Sequence, residues 1–488
     1  MAMKFPDTPN FSGLFAPSGV EADVHSLPVI DGAVPEDLDG SFFRVAPDPC
    51  FPPPSGQDIW FNGDGMVTCF RFSNGQISLR QRWVHTEKFE LENEAGHALF
   101  GAYRNPLTDD ASVQGKVRST ANTNVVVHAG KLLALKEDSP PAWLDPETLA
   151  TIEPVYTFGG KMTSETFTAH PKIDPATGEM LAFGYAAKGL FTRDMVFYVI
   201  NTEGEITREV WFEIPYYCMM HDFGITEDYV VFHVVPIVGS WDRLKAGLPH
   251  FGFDRSKPVH LGVLPRDGEA SDIRWFSAPN CFASHVMNAH NDGTKVHLDV
   301  PMAKGNMFPF FPDTEGLAFE PRDAAARMTR WTVDMLANGD GIAMTPLADF
   351  VGEFPRIDDR FAGRANRYGW QLAQDLGKPV DLPGNKSASG LMMNTLARID
   401  LETGETDSYW IGSTSSFQEP AFIPRPGSMA EGDGYLVVVE NRLAENGSRL
   451  LLFDALALAN GPIATIGIPL RLRQGLHGNW VPATEMAA

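Results

Sequence analysis

Cysteine is scarce in this 488-residue chain: Cys50, Cys69, Cys218 and Cys281 are the only four. So few thiols do not make a disulfide framework, and without a CxxC pair no cysteine-rich zinc site is expected. The count fits a reducing compartment, and a cytoplasmic protein is the expectation. Basic residues are outnumbered, 39 Lys and Arg against 62 Asp and Glu, for a formal net charge of -23. No basic stripe is left to neutralise phosphates, which argues against a nucleic-acid partner. Apolar runs never reach the roughly 18 residues a membrane span needs. The opening MAMKFPDTPNFSG lacks the charged and apolar regions of a secretion signal. Helical pattern is also sparse, with EPRDAAARMTRWTVDM reading as one short helix or turn. The isolated GDG of FNGDGM is too short for a phosphate loop and reads as a hairpin turn.

Short strand-like runs are abundant. MVTCFRF-SNG-QISLRQRWV, VVVHAG-KLLAL, MVFYVI-NTEG-EITREVWF, YVVFHVV, TLARID-LETG-ETDSYWI and YLVVVENRL are rich in β-branched and aromatic residues. Asn-Gly, Glu-Gly and Thr-Gly between them are hairpin chemistry. LDPETLAT, IDPATGEM and IDLETGET each follow an apolar run and look like the outer turn of a repeated four-stranded unit. Repetition of that kind points to a β-propeller. No linker divides the chain, so residues 1–488 read as a single domain. CFPPPSG and MFPFFPDTEGLAF are Pro-broken, aromatic and loop-like.

Four histidines have distinctive settings: His170 in TAHPKIDPATGEM, His221 in CMMHDFGITEDYVVF, His285 in FASHVMNAHNDG and His477 in LHGNW. Neutral imidazole suits iron, copper, zinc and nickel, and adds no negative charge to the metal. Ligands this far apart in sequence can meet only in a closed, roughly radial fold. A single histidine is more often structural than a ligand, and composition alone does not separate these four from His233, His290 or His297 among the chain's 13.

Their local sequences do. HPKIDP, MHDFGIT, SHVMNAHNDG and LHGNW, with FFRVAPDP, WFNGDGMVTCFRF, EFPRIDDRFAGRANRYGW and FQEPAFIPRPG, together resemble the carotenoid cleavage oxygenase family over about residues 35–480. The resemblance implies an all-β, seven-bladed β-propeller with loops forming a cap over an axial iron site, in which His170, His221, His285 and His477 hold Fe(II). It also implies three glutamates behind the ligands: Glu137 in LLALKED, Glu353 in GEFPRI and Glu419 in FQEPAF. Glu353 and Glu419 sit in apolar contexts where an unpaired carboxylate is costly. The three are expected to hydrogen-bond His221, His285 and His477, in a pairing the sequence leaves open, with His170 lacking a carboxylate.

Within the family, Lys136 directly precedes Glu137 where carotenoid-cleaving relatives commonly carry an uncharged residue. With Phe61 and Tyr103 it looks like the phenol-binding set of the lignostilbene dioxygenase branch. That likeness implies cleavage of the central C=C bond of a 4-hydroxystilbene by dioxygen to two aromatic aldehydes, with Lys136 and Tyr103 acting on the phenol and Phe61 stacking on its ring. Relatives in this branch imply a homodimer. Three alternatives stay open: an apocarotenoid- or carotenoid-cleaving member of the family, a non-catalytic propeller scaffold, and a calcium-type propeller hydrolase. The last would need an axial carboxylate cluster, which the histidine set does not resemble.

Overall fold

The structure is a computed structural model that describes residues 4–381 and 393–486. Its hairpins form where the turn residues demand. Asn74 and Gly75, both at positive φ (49° and 71°), join the strands Gly65–Ser73 and Gln76–Trp83. Two consecutive positive φ values match the right-handed twist of the flanking strands, which explains the Asn-Gly pair. The three acidic repeats share one turn. Asp145, Asp174 and Asp400 each accept a backbone bond from the residue four positions on: Leu149, Gly178 and Gly404. Each also caps the turn with its own carboxylate. Gly178 and Gly404 take φ of 73°, and Leu149 takes 61° at the equivalent place, a conformation disfavoured for leucine.

The chain folds into two compact units, each assembled from non-contiguous segments. The first comprises 1–160, 376–396 and 408–488. In its five-stranded sheet the late strand Gly478–Pro482 pairs antiparallel with Gly40–Pro47, which sits beside Gly65–Ser73. The early strand Val29–Gly32 likewise pairs with Ala464–Ile468. Both ends of the chain are therefore tied into the same unit. Phe42, Phe70, Phe72, Val437, Leu450 and Leu452 form part of its main apolar core. A four-stranded sheet of Asn124–His128, Lys131–Leu135, Ala142–Leu144 and Thr151–Glu153 carries Lys136 and Glu137 just past its second strand.

The second unit comprises 161–375 and 397–407. One of its four-stranded sheets begins at Lys172–Ile173 and another at Phe223–Ile225. His170 and His221 each lie two residues before these starting strands, so the same local geometry recurs. Phe183, Phe223 and Phe232 pack edge-on and stacked in the core between Met180–Tyr185 and Tyr229–Val234. The segment expected as a short helix or turn makes a turn over 321–324 and then the strand Arg327–Asp334. Thr329, Trp331 and Val333 are buried in alternation, so a period of two overrides the helix-favouring alanines. Among the described residues no helix is long and apolar enough to cross a membrane.

Candidate metal centre

His170, His221, His285 and His477 converge. One ligand atom from each lies within 4.8 Å of the others. His170 Nε2 is 3.1 Å from His221 Nε2, which is 2.9 Å from His285 Nε2. Three of the rings are buried and His221 is half-buried. Two imidazole nitrogens bound at right angles to one ion, at roughly 2.1 Å each, lie about 3.0 Å apart. The observed spacings fit that arrangement, and the donor set is nitrogen only, as a borderline first-row metal prefers. Two other buried histidines sit in different settings. His233 is enclosed within the strand Tyr229–Val234, and burial lowers its pKa to about 4. His290 stacks on His297 with ring centres 4.7 Å apart.

Carboxylates lie on Nδ1 of His285 and His477. Glu353 Oε2 lies 2.5 Å from His285 Nδ1 and accepts the Phe354 N–H at 2.6 Å, while its Oε1 accepts from Ser284 Oγ at 2.7 Å. Burial alone would raise the Glu353 carboxyl, but His285 and these donors hold it below the usual carboxylate range. Phe354 adopts φ 54°, an unfavourable conformation for an aromatic residue, and its ring lies 5.2 Å from that of His285. Glu419 Oε1 lies 3.0 Å from His477 Nδ1, and its Oε2 accepts the Gly478 N–H at 2.9 Å. A carboxylate on Nδ1 fixes the tautomer that leaves Nε2 to face the metal. Glu137 is buried beside Arg104, with Oε2 3.9 Å from Nη1.

Phe61, Tyr103 and Lys136 also come together. Lys136 is buried, and its Nζ donates to the Phe61 carbonyl and to Asn122 Oδ1, both at 3.1 Å. Nζ lies 5.1 Å from the centre of the Tyr103 ring, and the Phe61 and Tyr103 ring centres are 6.3 Å apart. Burial pushes the Lys136 pKa below its ordinary value, although Asp138 and Glu137 oppose it. Burial raises that of Tyr103. A lysine held by two neutral acceptors keeps most of its charge available to an anionic ligand.

Two side chains that the sequence reading passed over organise this trio. Asn122 Nδ2 donates to the carbonyls of Phe61 and Gly63 at 2.8 and 2.6 Å, so one amide ties Lys136 to the Phe61 loop. Asp58 accepts N–H bonds from Ile59 and Tyr103 at 2.8 and 3.2 Å, linking the Phe61 and Tyr103 loops, and burial raises its pKa to about 6. The only sequence signal for Asn122 is the polar run STANTN before an apolar strand, which reads as exposed loop but is buried throughout.

A family model described as retinal pigment epithelial membrane protein matches residues 15–482. Lignostilbene-alpha,beta-dioxygenase isozyme III of Sphingomonas paucimobilis is 51% identical over 486 residues, covering 99% of each chain. Isoeugenol monooxygenase of Pseudomonas nitroreducens is 43% identical, covering 99% of this chain and 100% of the relative. The crystal structure of Pseudomonas brassicacearum lignostilbene dioxygenase superposes with a TM-score of 0.95 at 45% identity, covering 99% of this chain and 100% of that one. The mostly β architecture matches the propeller structures of such oxygenases. The match along nearly the whole chain and the clustering of His170, His221, His285 and His477 lead to one assignment: the chain belongs to the family of the retinal pigment epithelial membrane protein, the carotenoid oxygenases.

Proposed function

We propose that this protein is a non-haem iron dioxygenase that cleaves the central C=C bond of 4-hydroxystilbenes, adding one oxygen atom of O2 to each carbon to give two aromatic aldehydes. The observation that carries this reading is the buried Lys136, which is held against the Tyr103 ring and fixed by Asn122 and the Phe61 carbonyl. A purely apolar substrate has no use for a buried ammonium, whereas a phenol does. The names of the relatives, a lignostilbene dioxygenase and an isoeugenol monooxygenase, support a phenolic substrate.

Bound by the four imidazoles, ferrous iron supplies the activation of dioxygen. The chain's own groups act on the phenol end of the substrate. The Lys136 ammonium stabilises the phenolate and so lowers the phenol's pKa. Binding the substrate as its phenolate, with the proton left in bulk water, pushes electron density through the ring into the alkene, which makes it easier to oxidise. The Tyr103 hydroxyl remains protonated, since burial raises its pKa, and so acts as a hydrogen-bond donor. Phe61 packs on the aromatic ring.

The test is aerobic incubation of the iron-loaded protein with a 4-hydroxystilbene, with isoeugenol and an apocarotenal run in parallel and products identified by mass spectrometry in 18O2. Two aldehydes from the stilbene, each labelled, are expected. Cleavage of the apocarotenal alone would overturn the stilbene reading and leave Lys136 without a role.

A further inference from the structure

Three of the four imidazole-bearing segments meet at one carboxylate that is not itself a candidate ligand. Asp222 follows His221, Lys172 lies two residues after His170, and Val286 follows His285. Lys172 Nζ sits 2.7 Å from Asp222 Oδ1, which also accepts the Phe223 N–H at 2.8 Å. The Val286 N–H donates to Asp222 Oδ2 at 2.8 Å. Asp222 is only 2% exposed, and these bonds go to groups outside the imidazole rings.

A buried ion pair is a poor stabiliser in general, because desolvation offsets most of its attraction; what it supplies is fixed geometry. Geometry is what this site requires. Imidazole nitrogens of three separate segments stand only 2.9 and 3.1 Å apart, so the segments must be held in close register for one ion to be shared. Glu353 fixes the rotation of one ring but leaves the spacing of the segments unset. The bonds at Asp222 set it.

We infer that Asp222 is a positioning residue for the metal centre: through Lys172 and the Val286 N–H it staples the His170, His221 and His285 segments and thereby sets the affinity for a divalent metal. The inference rests on the four-histidine metal site, and the experiment separates the two. Metal-stripped wild type, D222A, D222N, K172M and H285A are titrated with Co(II), followed by visible absorption and by calorimetry. Wild type should bind one Co(II) and H285A should lose it; failure of that comparison rejects the metal site itself. D222A should bind roughly 10- to 100-fold more weakly, as for other outer-shell losses, with altered Co(II) bands.

K172M is the decisive variant. On charge alone, removing a cation near a dication tightens binding. The staple predicts weaker binding, because Asp222 loses the partner that holds the His170 segment. V113A, in the separate apolar cluster of Leu99, Phe100 and Val113, gives the comparison for general destabilisation and should keep wild-type affinity. Wild-type or tighter binding by K172M, or equal weakening in V113A, overturns the inference. If D222A does not fold, D222N and K172M, which preserve side-chain volume, decide it on the same criterion.

Discussion

The side-chain oxygen of Asn122 accepts a hydrogen bond from the Lys136 ammonium at 3.1 Å while the same amide donates to the Phe61 carbonyl at 2.8 Å. One side chain thus sets two members of the trio relative to each other. Asn122→Ala leaves the Gly63 carbonyl without this donor and removes one of the two acceptors of Lys136. Losing a buried hydrogen-bonded partner costs about 1–3 kcal/mol. The expected outcome is a lower thermal midpoint and a kcat/KM on 4-hydroxystilbene reduced roughly 10- to 100-fold, since 1.4 kcal/mol is about tenfold. Metal content, read by elemental analysis, should stay at the wild-type level.

Lys136→Met keeps the length and the apolar stem but removes the charge. Stilbene cleavage should be abolished with metal content unchanged. Retained turnover would show that the ammonium does not hold the phenolate. The complementary experiment changes the substrate: a 4-methoxystilbene has no proton to lose at that oxygen and should not be cleaved by the wild-type protein.

The pH profile follows from the burial of Lys136, which lowers its pKa below the ordinary 10.5. The charged form is the one present below the pKa, so the ammonium is lost as pH rises through that lowered value. Wild-type kcat/KM should therefore fall on the alkaline side before an ordinary lysine would titrate. In Lys136→Arg the residual activity should lack this limb, because a guanidinium keeps its charge well beyond that range. An alkaline limb unchanged in Lys136→Arg would assign it to another group.

Much of the fold was legible because it depends on local chemistry. Asn74-Gly75 dictates its hairpin, and the IDPATGEM and IDLETGET turns recur with glycine at the same left-handed position. Glu353 and Glu419 were implied by the family resemblance, with apolar neighbours that weigh against exposed acids, and they lie on Nδ1 of His285 and His477. Asp222 and Asn122 were not, because each draws its meaning from partners 50 or more residues away: Lys172 and Val286 for one, Phe61 and Gly63 for the other. Residues 320–335 were legible only in part: the turn expected there stands at 321–324, but the strand after it was not foreseen. Their alanines favour a helix locally, but Trp331 pairs with Leu298 across a buried strand, and packing prevails.

Metal binding and folding are linked at this site, and the outer carboxylates give the link a measurable size. A ligand that binds only the folded state stabilises it by RT ln(1 + [L]/Kd), about 2.7 kcal/mol at a hundredfold excess over Kd. Adding Fe(II) anaerobically, or Co(II), to metal-stripped protein should therefore raise the thermal midpoint, and His285→Ala should abolish the rise. Glu353→Ala should weaken metal binding roughly 10- to 100-fold, because the Nδ1–H of His285 and the Ser284 hydroxyl lose their acceptor and the ring is free to turn. At a metal concentration near the wild-type Kd, its midpoint should barely move on addition of metal; at concentrations a hundredfold higher most of the rise should return, which separates weakened affinity from a damaged fold. Glu419→Ala should behave alike through His477. A full shift in either variant at the lower concentration would show that these carboxylates do not orient the imidazoles.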